Sequence, residues 1–136
     1  MRARTSFAAS AAIATLAAAW GMPAVQAQQT HPVTRTVLLK HDLRAQGQEG
    51  VMALVEIPPG EREGRHSHPG ELFVYVIEGT ATFDVEGKPT ATYRAGESFF
   101  VEPGKIHEAV NNGTAPLKAV SVFVIDKGKP LTTQAK

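Results

Sequence analysis

Short runs rich in β-branched and aromatic residues, each closed by Gly, Pro or Asn, repeat along the chain after residue 33 and leave little room for any fold but an all-β one. They are Thr34 to Lys40, Val51 to Ile57, Leu72 to Glu78, Ala81 to Glu86, Thr90 to Tyr93, Ser98 to Val101, His107 to Val110 and Leu117 to Ile125. The breaks between them have physical causes. Pro58-Pro59-Gly60 cannot continue a ladder, because proline has no N–H and glycine admits positive φ. Glu78-Gly79-Thr80 and Glu86-Gly87-Lys88-Pro89 suit tight reversals, and Asn111-Asn112-Gly113 precedes the last long strand. No window after residue 33 carries a helical period, and no repeat suggests a solenoid. Many short antiparallel strands at this spacing predict a sandwich or barrel over residues 34–126, followed by a C-terminal tail, 127–136.

The faces of these strands differ. Ala81-Thr82-Phe83-Asp84-Val85-Glu86 alternates apolar and polar, which gives one buried and one wet face. Leu72 to Ile77 and Ala119 to Ile125 are almost wholly apolar, so both of their faces need cover. One face fills the barrel and the other meets a second sheet or a second subunit; a homodimer is the expected partner arrangement.

The N-terminus follows other rules. Arg2 and Arg4 precede an apolar, Ala-rich run from Phe7 to Trp20, and small residues close it at Val25-Gln26-Ala27. A run of about 14 residues falls short of the roughly 20 needed to cross a bilayer, so 1–27 reads as a cleavable signal peptide and 28–33 as a mobile lead-in. The expected location is periplasmic or secreted. Cleavage removes two arginines and no acid, so the formal charge moves from +1 to −1. A near-neutral domain with scattered charge is not built for nucleic acid or anionic membranes. With no cysteine, disulfides, thiolate nucleophiles and sulfur ligands are all excluded, and any metal must sit on nitrogen and oxygen.

Nitrogen is available in a suggestive pattern. His66-Ser67-His68 places two imidazoles on one side of a strand, because side chains alternate with period two. His107 follows the turn Pro103-Gly104-Lys105-Ile106, which re-aims the chain. His31 and His41 have no such context.

These residues carry a resemblance. Gly60 to Glu71 and on to Gly79, with His66 and His68 inside, resembles the first cupin motif; Gly96 to His107, ending at Asn111, is similar to the second. Both occur in the right order, and the resemblance spans roughly Val37 to Ile125. It implies a double-stranded β-helix, a jelly-roll barrel of antiparallel strands, with one divalent metal ion (Fe, Mn, Ni, Cu or Zn) inside one end. In the family two histidines of the first motif, a glutamate four positions after the second of them, and the histidine of the second motif bind the ion. This chain departs at the glutamate: Leu72 occupies its place and Glu71 stands one residue earlier. A regular strand would turn Glu71 away from the histidines, but a bulge at Pro69-Gly70 would bring it inward. The expected set is therefore His66, His68, His107 and Glu71, with Glu71 also the catalytic candidate. Glu102 replaces a proline of the second motif and is a second candidate base.

Three nitrogens with at most one carboxylate leave positions open for a small molecule. The resemblance implies an O2-dependent dioxygenase acting on a phenolic or enolic compound such as a flavonol. A metal-dependent isomerase or hydrolase, or a non-catalytic binding module, fits the same residues.

Overall fold

The computed structural model describes residues 32–136. The expected signal segment, most of the expected lead-in and His31 lie outside the described residues. Ten strands run in chain order: β1 (Thr34–Asp42), β2 (Gln48–Ile57), β3 (His66–Ser67), β4 (Glu71–Glu78), β5 (Thr80–Val85), β6 (Ala91–Arg94), β7 (Ser98–Val101), β8 (His107–Val110), β9 (Leu117–Asp126) and β10 (Thr133–Gln134). They form two five-stranded antiparallel sheets, ordered β1-β2-β9-β4-β7 and β10-β3-β8-β5-β6. The described residues contain no helix.

All eight expected strands form. Beyond those runs, β3 (His66–Ser67) lies where the alternation of His66-Ser67-His68 called for a strand; β10 has no counterpart in the sequence reading, being two residues long, and it draws part of the expected tail back onto the barrel by pairing Gln134 with His66 and Thr133 with Ser67.

The first sheet supplies most of the core. Along β2, β4 and β9 alternate residues are buried: Val51, Ala53, Val55 and Ile57; Leu72, Val74 and Val76; Leu117, Ala119, Phe123 and Ile125. Ala81 and Phe83 of β5 and Ala109 of β8 close the core from the second sheet. Burying a side chain of this kind is worth about 1.5–3 kcal/mol, so these strands dominate the stability.

Two contacts fix the register around the first motif. Gly70 lies against the backbone of β9, where an added Cβ would fall 1.9 Å from the Val124 carbonyl oxygen. Only glycine permits that approach, and it sets Glu71 opposite Val124 and Leu72 opposite Phe123. Asn111, fully buried, donates from Nδ2 to the carbonyls of Ile57 and Ala115, while its Oδ1 accepts from the Gly113 amide. That side chain joins the end of β2, the exit of β8 and the entry to β9.

Candidate metal centre

His66 comes from β3, His68 from the residue just after it, and His107 from the start of β8, where it pairs directly with His66. All three are buried, with 1–3% of their surface exposed. Their ring centroids lie 4.5–4.9 Å apart, and one ligand atom from each falls within 4.8 Å of the others. The structure thus gathers all three expected histidines at one point.

Each ring is held from behind. Nδ1 of His66 donates to the Gly64 carbonyl at 2.7 Å, that of His107 to the Lys105 carbonyl at 2.8 Å, and that of His68 to the Leu131 carbonyl at 2.6 Å. A carbonyl can only accept, so the proton of each neutral ring sits on Nδ1 and the lone pair on Nε2. Nε2 of His66 and of His107 is buried without any hydrogen-bond partner. An orphaned buried acceptor costs about 1–3 kcal/mol, and a metal ion shared by the two would remove that cost for both at once. Carbonyl-anchored imidazoles of fixed tautomer are the usual support of metal-binding histidine.

Electrostatics agree. Burial, opposed by the Leu131 carbonyl and reinforced by His107, His66 and Arg35, pushes His68 down to about 3. Burial, opposed by the Lys105 carbonyl and reinforced by His66 and Arg35, pushes His107 down to about 4. Both rings stay neutral near pH 7, the form that ligates. Phe123 packs edge-on against His68 and Phe83 stacks on His107, at 4.7 and 5.4 Å between centroids, which makes the surroundings of the cluster apolar.

Glu71 is not brought in. From Glu71 to Val76 the phase of β4 is regular: Leu72, Val74 and Val76 are buried, whereas Glu71, Phe73 and Tyr75 share the outer face. No bulge shifts the parity at Pro69-Gly70, where Gly70 lies against the Val124 carbonyl and Glu71 and Leu72 pair in register with Val124 and Phe123. Leu72 lines the cavity beside His68 and His107 in place of a carboxylate. Glu102 is also outside: it is half-exposed, and both its oxygens accept from Lys88 Nζ at 2.7 Å. That ammonium lowers its pKa. His41 is exposed on β1.

The charged groups that do line the cavity are Arg35 of β1 and Glu63 of the loop before β3. Arg35 Nη2 donates to Glu63 Oε1 at 2.7 Å and Nη1 to Thr132 Oγ1 at 2.8 Å. Sequence reasoning missed both. Their partners are 28 and 97 positions from Arg35, and no local pattern marks such a pair.

Three imidazoles suit Fe, Mn, Ni, Cu or Zn and would leave coordination positions for outside oxygen donors. The cavity between Leu72, Val74, Phe83, His68 and His107 has room of about 30 Å3, enough for one or two water-sized groups.

The chain is 30% identical over 76 residues to the oxalate-binding protein of Thermotoga maritima, covering 55% of this chain and 62% of that protein. It is 36% identical over 72 residues to the polyketide synthase CurC of Streptomyces cyaneus, covering 52% and 46%. It thus spans less than two thirds of the length of these curated relatives. Among solved structures, an uncharacterised conserved protein with a double-stranded β-helix domain from Klebsiella pneumoniae superposes with a TM-score of 0.62 at 26% identity, over 76% of this chain and 84% of that one. Residues 53–123, more than half of the sequence and including all three histidines, match the cupin domain, and the chain belongs to the cupin family.

Proposed function

We propose that this cupin holds one divalent ion on His66, His68 and His107 and presents on it a small oxygen-chelating molecule. The observation that carries the proposal is the pair of buried, partnerless Nε2 atoms on rings whose Nδ1 protons are already committed to backbone carbonyls. When bound, the ion supplies Lewis acidity and, if redox-active, a route to O2. The protein's own part is to fix three lone pairs and to keep the cavity apolar; the carboxylate that lines it is Glu63, held by Arg35, rather than Glu71 or Glu102. The narrow cavity favours a ligand of a few heavy atoms over a flavonol, and a relative named for binding oxalate points to the same size class.

Elemental analysis of protein purified without added metal tests the centre. Near-stoichiometric metal is expected, with loss in His66→Ala and His107→Ala while far-ultraviolet circular dichroism stays β-type; retention in both variants overturns the site. O2 uptake with a small enolic acid or a catechol marks a dioxygenase, and saturable binding without turnover marks a binding module.

The reading includes a homodimer in an extracytoplasmic compartment. Phe73, Tyr75, Ile77 and Phe100 are roughly half exposed on the outer face of the first sheet, with Val120 and Val122 beside them. This patch has no charge, so it can face its own copy across a two-fold axis. Phe73→Glu with Phe100→Glu is expected to halve the mass in sedimentation, and an unaltered monomer mass in the wild type refutes pairing. Recovery outside the cytoplasm of a chain lacking 1–27 checks the compartment.

A further inference from the structure

Two side chains belong to two cavities at once. Arg35 and Glu63 line the small interior cavity with His68 and His107. They also line an outer cleft of about 190 Å3 with Val33, His66, Thr132 and Gln134. A pair common to both spaces is the wall between them. It is a firm wall: the Glu63 side chain is 10% exposed, and Arg35 is held by Glu63 and by Thr132 through different nitrogens.

That holding uses one N–H on each of Nη1 and Nη2. Arg35 Nε is different: it is buried and has no partner at all. Guanidinium cannot shed its charge, so the unused N–H remains a charged donor in a space of low polarity, where hydrogen bonds to charged groups are strongest. Arg35 is also the one side chain of fixed positive charge among the residues that line the interior cavity.

We infer that Arg35 is the specificity-determining residue of the centre, reading an anionic oxygen at the outer end of a small carboxylate held on the metal, with Glu63 and Thr132 as the positioning residues that keep its guanidinium at the wall. The inference rests on the proposed metal centre and goes further by naming the ligand's charge. An arm with a second carboxylate gains a charge-assisted bond that a neutral arm of the same shape does not. Glu63 restricts the site in the other direction, because a cationic ligand meets a carboxylate already satisfied by Arg35.

Oxalate and oxamate separate charge from shape, since they chelate alike and differ by one amide in place of a carboxylate. The protein loaded with Co(II) is titrated with each, followed by the visible d–d bands and by calorimetry. The wild type is expected to prefer oxalate by at least tenfold. Arg35→Gln is expected to keep its Co(II) and to bring the ratio to within about twofold of unity, with Arg35→Lys between the two. A ratio unchanged in an Arg35→Gln protein that retains Co(II) overturns this inference alone. Failure of the wild type to take up Co(II) overturns the metal centre and the inference with it. Should Arg35→Gln not fold, Arg35→Lys alone decides, because it keeps the charge and loses the Nε–H: an undiminished ratio there refutes the role of that donor.

Discussion

Leu72→Glu places a carboxylate where this chain has lost one. Leu72 is 4% exposed, faces inward opposite Phe123, and lines the cavity with His68 and His107. In the metal-free protein the change forfeits about 1.5–3 kcal/mol of apolar burial. It also adds a polar group with no partner in an apolar setting, at about 1–3 kcal/mol. The metal-free variant should therefore lose about 3–5 kcal/mol, or about 12 °C or more in Tm for a domain near 100 residues. With metal present the sign reverses in part. A fourth ligand is expected to tighten binding by tenfold or more, and each tenfold is about 1.4 kcal/mol of added stabilisation of the folded form. The assay is a thermal melt with and without saturating Zn(II), joined to competition against a chromophoric chelator. The gap between metal-bound and metal-free Tm should widen in the variant while its metal-free Tm falls. A variant less stable in both states, with affinity equal to or below that of the wild type, refutes the regular phase of β4 and the place of residue 72 at the centre.

Folded His68 and His107 titrate at about 3 and about 4, below the ordinary 6.5, so the unfolded chain binds more protons between those values and about 6.5. Stability of the metal-free protein is then full above about pH 6.5 and falls as pH drops toward 4; the urea midpoint should decline from pH 7 to pH 5 more steeply than in His68→Leu/His107→Leu, and equal slopes refute the neutral buried pair. Gly70→Ala drives a Cβ to 1.9 Å from the Val124 carbonyl oxygen and should cost about 3 kcal/mol or more, whereas Gly87→Ala, with φ +79° and open space around it, should cost only about 1–2 kcal/mol. Similar urea midpoints for the two would show that the β4–β9 approach is not tight. Removing residues 130–136 deletes the carbonyl that orients His68 but neither of those that orient His66 and His107. Metal affinity should drop about ten- to a hundredfold without abolition, and chelator competition showing no change would refute the role of Leu131.

The legible parts of this molecule are those encoded by side chains close together in sequence. Strands β2, β4 and β9 announce themselves through long apolar runs between Gly, Pro and Asn, and the histidines through two compact motifs. What escaped is encoded across distance or by backbone. Glu71 and Leu72 are adjacent, and choosing between them required the contact of Gly70 with Val124, 54 positions away. Strand β10 has no period to read in two residues, and Arg35 meets Thr132 only after the chain has closed on itself.

The supports of the three rings show the same division inside the site. His66 and His107 each donate to the carbonyl two residues earlier, and each follows a glycine of positive φ, Gly64 or Gly104, so a local turn orients the ring. His68 donates to a carbonyl 63 residues away. Any residue supplies a carbonyl, so position 131 bears no chemical mark of its role. Two ligands are thus set by their own turns and are available as soon as β3 pairs with β8. The third waits for the last segment to dock. The segment that orients His68 also carries Thr132, which holds Arg35 at the wall of the cavity. Orienting the third histidine and holding the cavity wall are therefore the work of one segment, through residues that no inspection of the motifs would single out.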